Sequence, residues 1–183
     1  MPRSASALAA LAAVALGGIG VGWASAEGAA PPTEAELARL GAPPQAAPLA
    51  SERLYFVMPD RYANGDPSND RAGVTGERGR TGFDPTDTGW YHGGDLKGLT
   101  GGCDDPKVGL RRVRDMGFTG VWMTPPFGQR WVQGSSAAYH GYWITDFTSV
   151  DPHLGTDDDF AAFVECAHRL GLRVYLDVVV NHT

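Results

Sequence analysis

The chain has 183 residues, room for one ordinary domain, with 15 basic against 21 acidic residues and a formal net charge of −6. That balance argues against nucleic acid, whose recognition favours basic surfaces, whereas an excess of carboxylates suits calcium. Two cysteines are present. Cys103 and Cys166 are open to a mutual disulfide in an oxidising compartment, or to a buried Cys166 and a Cys103 whose partner lies beyond residue 183.

Residues 1–26 carry one early basic residue, Arg3, an apolar run from Ala7 to Val21 and the tripeptide Ala24-Ser25-Ala26. This is the pattern of a secretory signal with an A-x-A cleavage site. The run is about 15 residues, short of the roughly 20 that a membrane-spanning helix needs. Its removal takes away Arg3 alone and leaves a net charge of −7. The mature protein is therefore expected to be secreted and extracellular, with no membrane segment. Residues 27–52 are rich in Ala and Pro and read as a flexible or loosely docked leader.

Order is expected from Arg53, in residues 53–183. Leu54 to Met58 is a continuous apolar run ended by Pro59, as in a buried strand. Asp60 to Pro106 shows little periodicity, and so long a connection is usually functional. Lys107 to Met116 reads as a helix with Val108, Leu110, Val113 and Met116 as its stripe and Gly117 at its C-cap. Thr119 to Met123 is a second buried strand, stopped by Pro125-Pro126. A long aromatic loop runs from Phe127 to Leu154. Thr156 then caps a helix whose first turn is Asp157-Asp158-Asp159; capping explains that acidic run better than metal binding does. Phe160, Phe163, Val164, Ala167 and Leu170 form its apolar face, and Val174 to Val180 is the third strand.

The order strand, helix, strand, helix, strand with continuously apolar strands predicts an α/β fold with parallel strands covered on both faces. The dinucleotide fingerprint is absent after the first strand. Very long loops after the strands favour a (β/α)8 TIM barrel over a doubly wound sheet. Three strands make it an incomplete one.

The polar loop Asn64-Gly65-Asp66-Pro67-Ser68-Asn69-Asp70 packs oxygen-bearing side chains at a density that suits calcium. An EF-hand register fails, because Tyr62 and Arg71 fall on ligand positions. Asx-turns use the same residues without metal. His92-Gly93-Gly94-Asp95 adds a carboxylate to the same connection, or is only a tight turn. Tyr139-His140-Gly141-Tyr142-Trp143 sets rings and an imidazole on the loop after the second strand, either a local apolar cluster or a surface for sugar rings. Asp177 is a carboxylate inside an apolar strand and needs a partner. Asn181 and His182 stand at that strand's mouth.

Taken together these segments resemble the α-amylase family of glycoside hydrolases. Met58–Asp70, His92–Gly98, Ala138–Trp143 and Asp177–His182 match motifs of that family in the correct order. The resemblance implies that Asn64, Asp66, Asn69, Asp70, Gly93 and Asp95 bind calcium. Asn181 would belong to a second calcium site beside a domain inserted after strand three. It implies that Tyr142 stacks on a sugar, that His140 and His182 hydrogen-bond its hydroxyls, and that Asp177 is a supporting buried carboxylate. The expected activity is retaining cleavage of α-1,4-glucosidic bonds in starch-like α-glucan. The alternatives are a pullulanase-like or transglycosylating specificity, or a non-catalytic glucan-binding barrel. The cleaving carboxylates belong to later motifs of the family, so no catalytic residue is assigned here. The chain reads as an N-terminal fragment of a monomeric enzyme, inactive alone.

Overall fold

The computed structural model describes residues 33–35 and 49–180. The signal segment 1–26, the leader apart from residues 33–35 and 49–52, and Asn181, His182 and Thr183 lie outside the described residues. In chain order the elements are β1 (Leu54–Val57), α1 (Arg78–Thr81), α2 (Leu96–Thr100), α3 (Gly109–Asp115), β2 (Gly120–Met123), β3 (Phe127–Gln129), β4 (Val132–Gln133), β5 (Ser136–Ala137), β6 (Ile144–Val150), α4 (Asp157–Arg169) and β7 (Arg173–Leu176). Short 3-10 turns precede and follow β1, at Leu49–Ser51 and Pro59–Arg61.

β1, β2 and β7 form a parallel sheet in that order. Tyr55, Val121 and Val174 lie level in the ladder, and so do Val57 and Met123. Registered residues share a face, and this one packs against Leu96, Leu99, Leu110, Val113 and Phe163 of the helices. The opposite face is not covered, contrary to the expectation from the apolar strands. Its row holds Phe56 and Trp122, 53% and 41% exposed, with rings edge to face at 5.4 Å. A closed barrel fills this side with its own inward-pointing side chains; three strands do not close. At the base of the sheet the Glu52 carboxylate accepts from Thr119 Oγ1 at 2.5 Å and pairs with Arg173 Nη1 at 3.1 Å. That contact ties together the starts of all three strands.

The third strand ends earlier than its apolar run. β7 stops at Leu176 and its last link is the Asp177 N–H to Met123 O at 3.3 Å. β2 turns into Pro125-Pro126 at this point. Prolines carry no N–H and leave β7 nothing to pair with. Asp177 is therefore a half-buried residue at the strand mouth, not a carboxylate inside the strand.

α4 is capped as expected. Thr156 Oγ1 accepts from Asp159 N at 3.1 Å, and the Asp159 carboxylate accepts from Thr156 N at 2.9 Å, a reciprocal capping box. α3 is shorter than its stripe suggested: Val108 and Met116 are its caps, and Gly117 follows with φ +91°. The stretch expected to be one long aromatic loop contains two antiparallel pairs, β3 with β6 and β4 with β5. A disulfide joins Cys103 to Cys166 with Cα atoms 5.7 Å apart, pinning the α2–α3 connection to α4. Of the two cysteine arrangements, the structure forms the mutual pair.

Candidate functional site

The segment Tyr139–Trp143 crosses the C-terminal end of β2. Gly141, with φ +82°, sits so close to the strand end that a Cβ there would lie 2.3 Å from Pro125 O. Only glycine fits that contact and that backbone. Tyr142 N donates to His140 Nδ1 at 3.0 Å, which places the proton of the neutral ring on Nε2. Burial lowers the His140 pKa and favours that neutral form. The His140 and Tyr142 rings lie 19° from parallel with centroids 5.7 Å apart. The Tyr142 hydroxyl donates to Asp177 Oδ2 at 2.6 Å. Burial and this carboxylate push the phenol up to about 12, so it stays a donor. Asp177 thus has the partner that it needs. The expected sugar contacts Tyr142 and His140 and the expected supporting carboxylate Asp177 come together at the mouths of β2 and β7; His182 lies outside the described residues. An imidazole N–H, an aromatic ring and a carboxylate in one place suit a polyhydroxylated ring.

A polar spine behind this loop did not appear in the reading of the sequence. Asp151 is fully buried. Its Oδ2 accepts from Gln129 N at 2.9 Å and from Trp131 Nε1 at 3.1 Å. Its Oδ1 faces His153 Nδ1 at 2.8 Å, and His153 Nε2 lies 2.6 Å from Thr81 O. Tyr91 stacks on His153 with centroids 3.9 Å apart. Gln129 continues the spine to the sugar loop through Gly141 O and Trp143 N. The one available signal was local: an Asp two residues before a His favours a side-chain-to-backbone turn.

The polar loop divides into two groups. Asn64 Nδ2 donates to Asp70 Oδ1 at 2.7 Å, and a Cβ on Gly93 would lie 2.5 Å from that same oxygen. Asn69 Oδ1 is buried with no hydrogen-bond partner. Burial raises the Asp70 pKa, and the nearby Asp95 and Asp66 charges add to it against the Asn64 bond. An oxygen-seeking cation would satisfy the orphaned Asn69 oxygen and offset the crowded charge. Asn69 Oδ1 and the Asp70 carboxylate thus offer oxygens that fit calcium, while Asn64 turns its amide N–H to Asp70 and Asn69 Nδ2 reaches Asp95 Oδ2 at 3.4 Å. Asp66 and Asp95 are more fully occupied by protein donors. Asp66 pairs with Lys97 at 2.5 Å, and that hydrogen bond first, then those from Ser68, lowers its carboxyl to about 2. Asp95 is fully buried and caps α2, accepting from Gly98 N at 2.6 Å, Asp66 N at 2.7 Å and Gly65 N at 3.1 Å. Among the described residues no three His, Cys, Asp or Glu side chains converge as a metal centre. Asn181 lies outside the described residues.

A further missed residue holds the two halves of this connection together. Asp60 Oδ1 accepts from His92 N at 2.9 Å and Gly93 N at 3.1 Å. Burial raises its pKa above the usual carboxylate value, against those bonds and the adjacent Arg61.

Residues 56–183 match the family described as alpha amylase, catalytic domain. The chain is 44% identical over 158 residues to an α-amylase of Streptomyces lividans, covering 84% of this chain and 16% of that protein. It is 38% identical over 138 residues to the periplasmic α-amylase of Escherichia coli, covering 71% of this chain and 19% of that one. Among solved structures, an Anoxybacillus α-amylase superposes with a TM-score of 0.60 at 40% identity, over 75% of this chain and 26% of the other. An α-amylase of Geobacillus thermoleovorans complexed with acarbose gives 0.51 at 38% identity, over 72% and 24%. The chain spans about a fifth of the length of the curated relatives it matches.

Proposed function

This chain belongs to the α-amylase family, and from that premise we propose that it supplies the first three barrel strands and a glucan-contacting loop of a secreted, retaining α-amylase-type glycoside hydrolase acting on starch-like α-1,4-glucan. Tyr142 stacks on the sugar beside the cleaved bond, and His140 donates from Nε2 to a hydroxyl. Asp177 fixes the Tyr142 ring through its hydroxyl. His182 adds a second hydroxyl contact from the mouth of the third strand. The acid and the nucleophile come from elsewhere in the whole protein, held about 5–5.5 Å apart as retention requires.

The observation that carries this reading is the Tyr142–Asp177 hydrogen bond at 2.6 Å, which locks an aromatic ring across two strand mouths beside a donor imidazole. The relative complexed with acarbose supports an α-glucan ligand. Calcium would be held on this loop by Asn69 and Asp70 with Asn64 and Gly93 beside them, while Asp66 and Asp95 keep their present donors. Asn181 serves a second calcium site. The bound ion would supply positive charge that cross-links the loop, with no part in bond cleavage. The signal-like start, the disulfide and a periplasmic relative support export.

The test is digestion of maltoheptaose by the full-length protein, followed by proton NMR of the newly formed anomer. The α-anomer should appear first. A β-anomer first, or no cleavage at all, removes the retaining hydrolase from consideration; chain-lengthened products in place of reducing ends would indicate a transglycosylating relative.

A further inference from the structure

Gln129 closes β3 and is only 8% exposed. Its Nε2 donates to Phe127 O at 2.7 Å and to Gly141 O at 3.1 Å, and its Oε1 accepts from Trp143 N at 2.7 Å. Gly141 and Trp143 are the two neighbours of Tyr142, and Gly141 also follows His140. One amide thus grips the backbone on both sides of the ring that faces Asp177. The grip is itself anchored, because Gln129 N donates to the fully buried Asp151 carboxylate. Glutamine is the residue type that this geometry demands: it presents two donors and an acceptor from one planar group. A carboxylate would face two carbonyl oxygens, and a methionine would leave three backbone groups unpaired in a dry site.

We propose that Gln129 is a positioning residue for glucan binding: it sets His140 and Tyr142 in place by holding Gly141 and Trp143, and touches no sugar itself. This rests on the reading of the Tyr139–Trp143 loop as a glucan contact.

A double-mutant cycle on the full-length protein tests it, with affinity for acarbose, the ligand held by a solved relative, read by titration calorimetry and folding read by near-ultraviolet circular dichroism. Gln129→Met should weaken binding about three- to tenfold, as expected for loss of a few loop-fixing hydrogen bonds. Tyr142→Ala should weaken it at least as much. In the Tyr142→Ala background, Gln129→Met should add less than about twofold, because a residue that acts through Tyr142 is coupled to it. Wild-type affinity in Gln129→Met, or losses that multiply in full, overturns the positioning role and leaves the glucan contact standing. Wild-type affinity in Tyr142→Ala overturns the glucan contact and the positioning role with it. Should Gln129→Met fail to fold, Gln129→Glu carries the same cycle, since it keeps the acceptor for Trp143 N and loses both donations.

Discussion

Asp95 and Asp70 separate two jobs within one polar loop. Asp95 accepts from the backbone of Gly65, Asp66 and Gly98, so Asp95→Ala orphans three amides and uncaps α2. We expect it to cost about 3 kcal/mol with or without calcium, at about 1 kcal/mol for each loss. Asp70→Ala should cost less than about 1 kcal/mol in chelator, yet abolish the rise in thermal midpoint on adding calcium. Thermal unfolding of both variants with calcium and with chelator checks the pair; an unchanged calcium response in Asp70→Ala removes the loop site. His140 carries a pH prediction. Its pKa is lowered in the folded state by burial, so the fold favours the neutral ring. That contribution is full above the ordinary histidine value and is lost as pH falls through the lowered one. Urea unfolding at a series of pH values should show a decline on the acid side that His140→Gln flattens. The residue identities at both places were readable from the sequence, because oxygen-rich side chains and rings cluster there. Their division of labour was not. Which carboxylate meets an amide and which meets another side chain is decided by the crossing of Asn64–Asp70 with His92–Asp95, segments far apart in the chain.

At the scale of elements, the core strands and α4 were legible because each carries a strong local pattern. The antiparallel pairs were not. β4 and β5 have two residues each, and β6 presents mostly exposed side chains along its length. Pairs of that kind are held by partners and turns, here Gly134 with φ +60° between β4 and β5, and leave no alternation to read. The early end of β7 was equally hidden, since it follows from where β2 stops, not from the residues of β7. The disulfide bridges 63 positions of chain. Chain-entropy reasoning assigns a loop of that size about 4 kcal/mol, with native strain and residual structure reducing it. Reduction, or Cys103→Ser with Cys166→Ser, should therefore lower stability by about 2–4 kcal/mol in urea unfolding while leaving far-ultraviolet circular dichroism unchanged. A change below about 1 kcal/mol would mean that the α2–α3 connection is held by packing alone.

For the chain as a whole, the telling feature is the bare face of the sheet. Phe56 and Trp122 are large apolar residues exposed by 40% or more. Exposed apolar surface of that kind marks a contact waiting to be made or an aggregation liability. The isolated 183-residue chain should bind a hydrophobic dye and associate with rising concentration. Phe56→Thr with Trp122→Thr should reduce both; dye binding unchanged by the pair would place the sticky surface elsewhere. The two long connections, by contrast, lock into each other. His153 of the second reaches Thr81 O of the first at 2.6 Å, Leu96 N of the first reaches Leu154 O of the second at 2.9 Å, and Arg61 lies 4.1 Å above the Tyr139 ring. The two connections therefore behave as one structural unit. A chimera that imports only one of them from a relative breaks these contacts, whereas exchanging residues 58–177 as a block carries the sugar loop with its Asp177 partner, the cation loop, the disulfide and the brace between them intact.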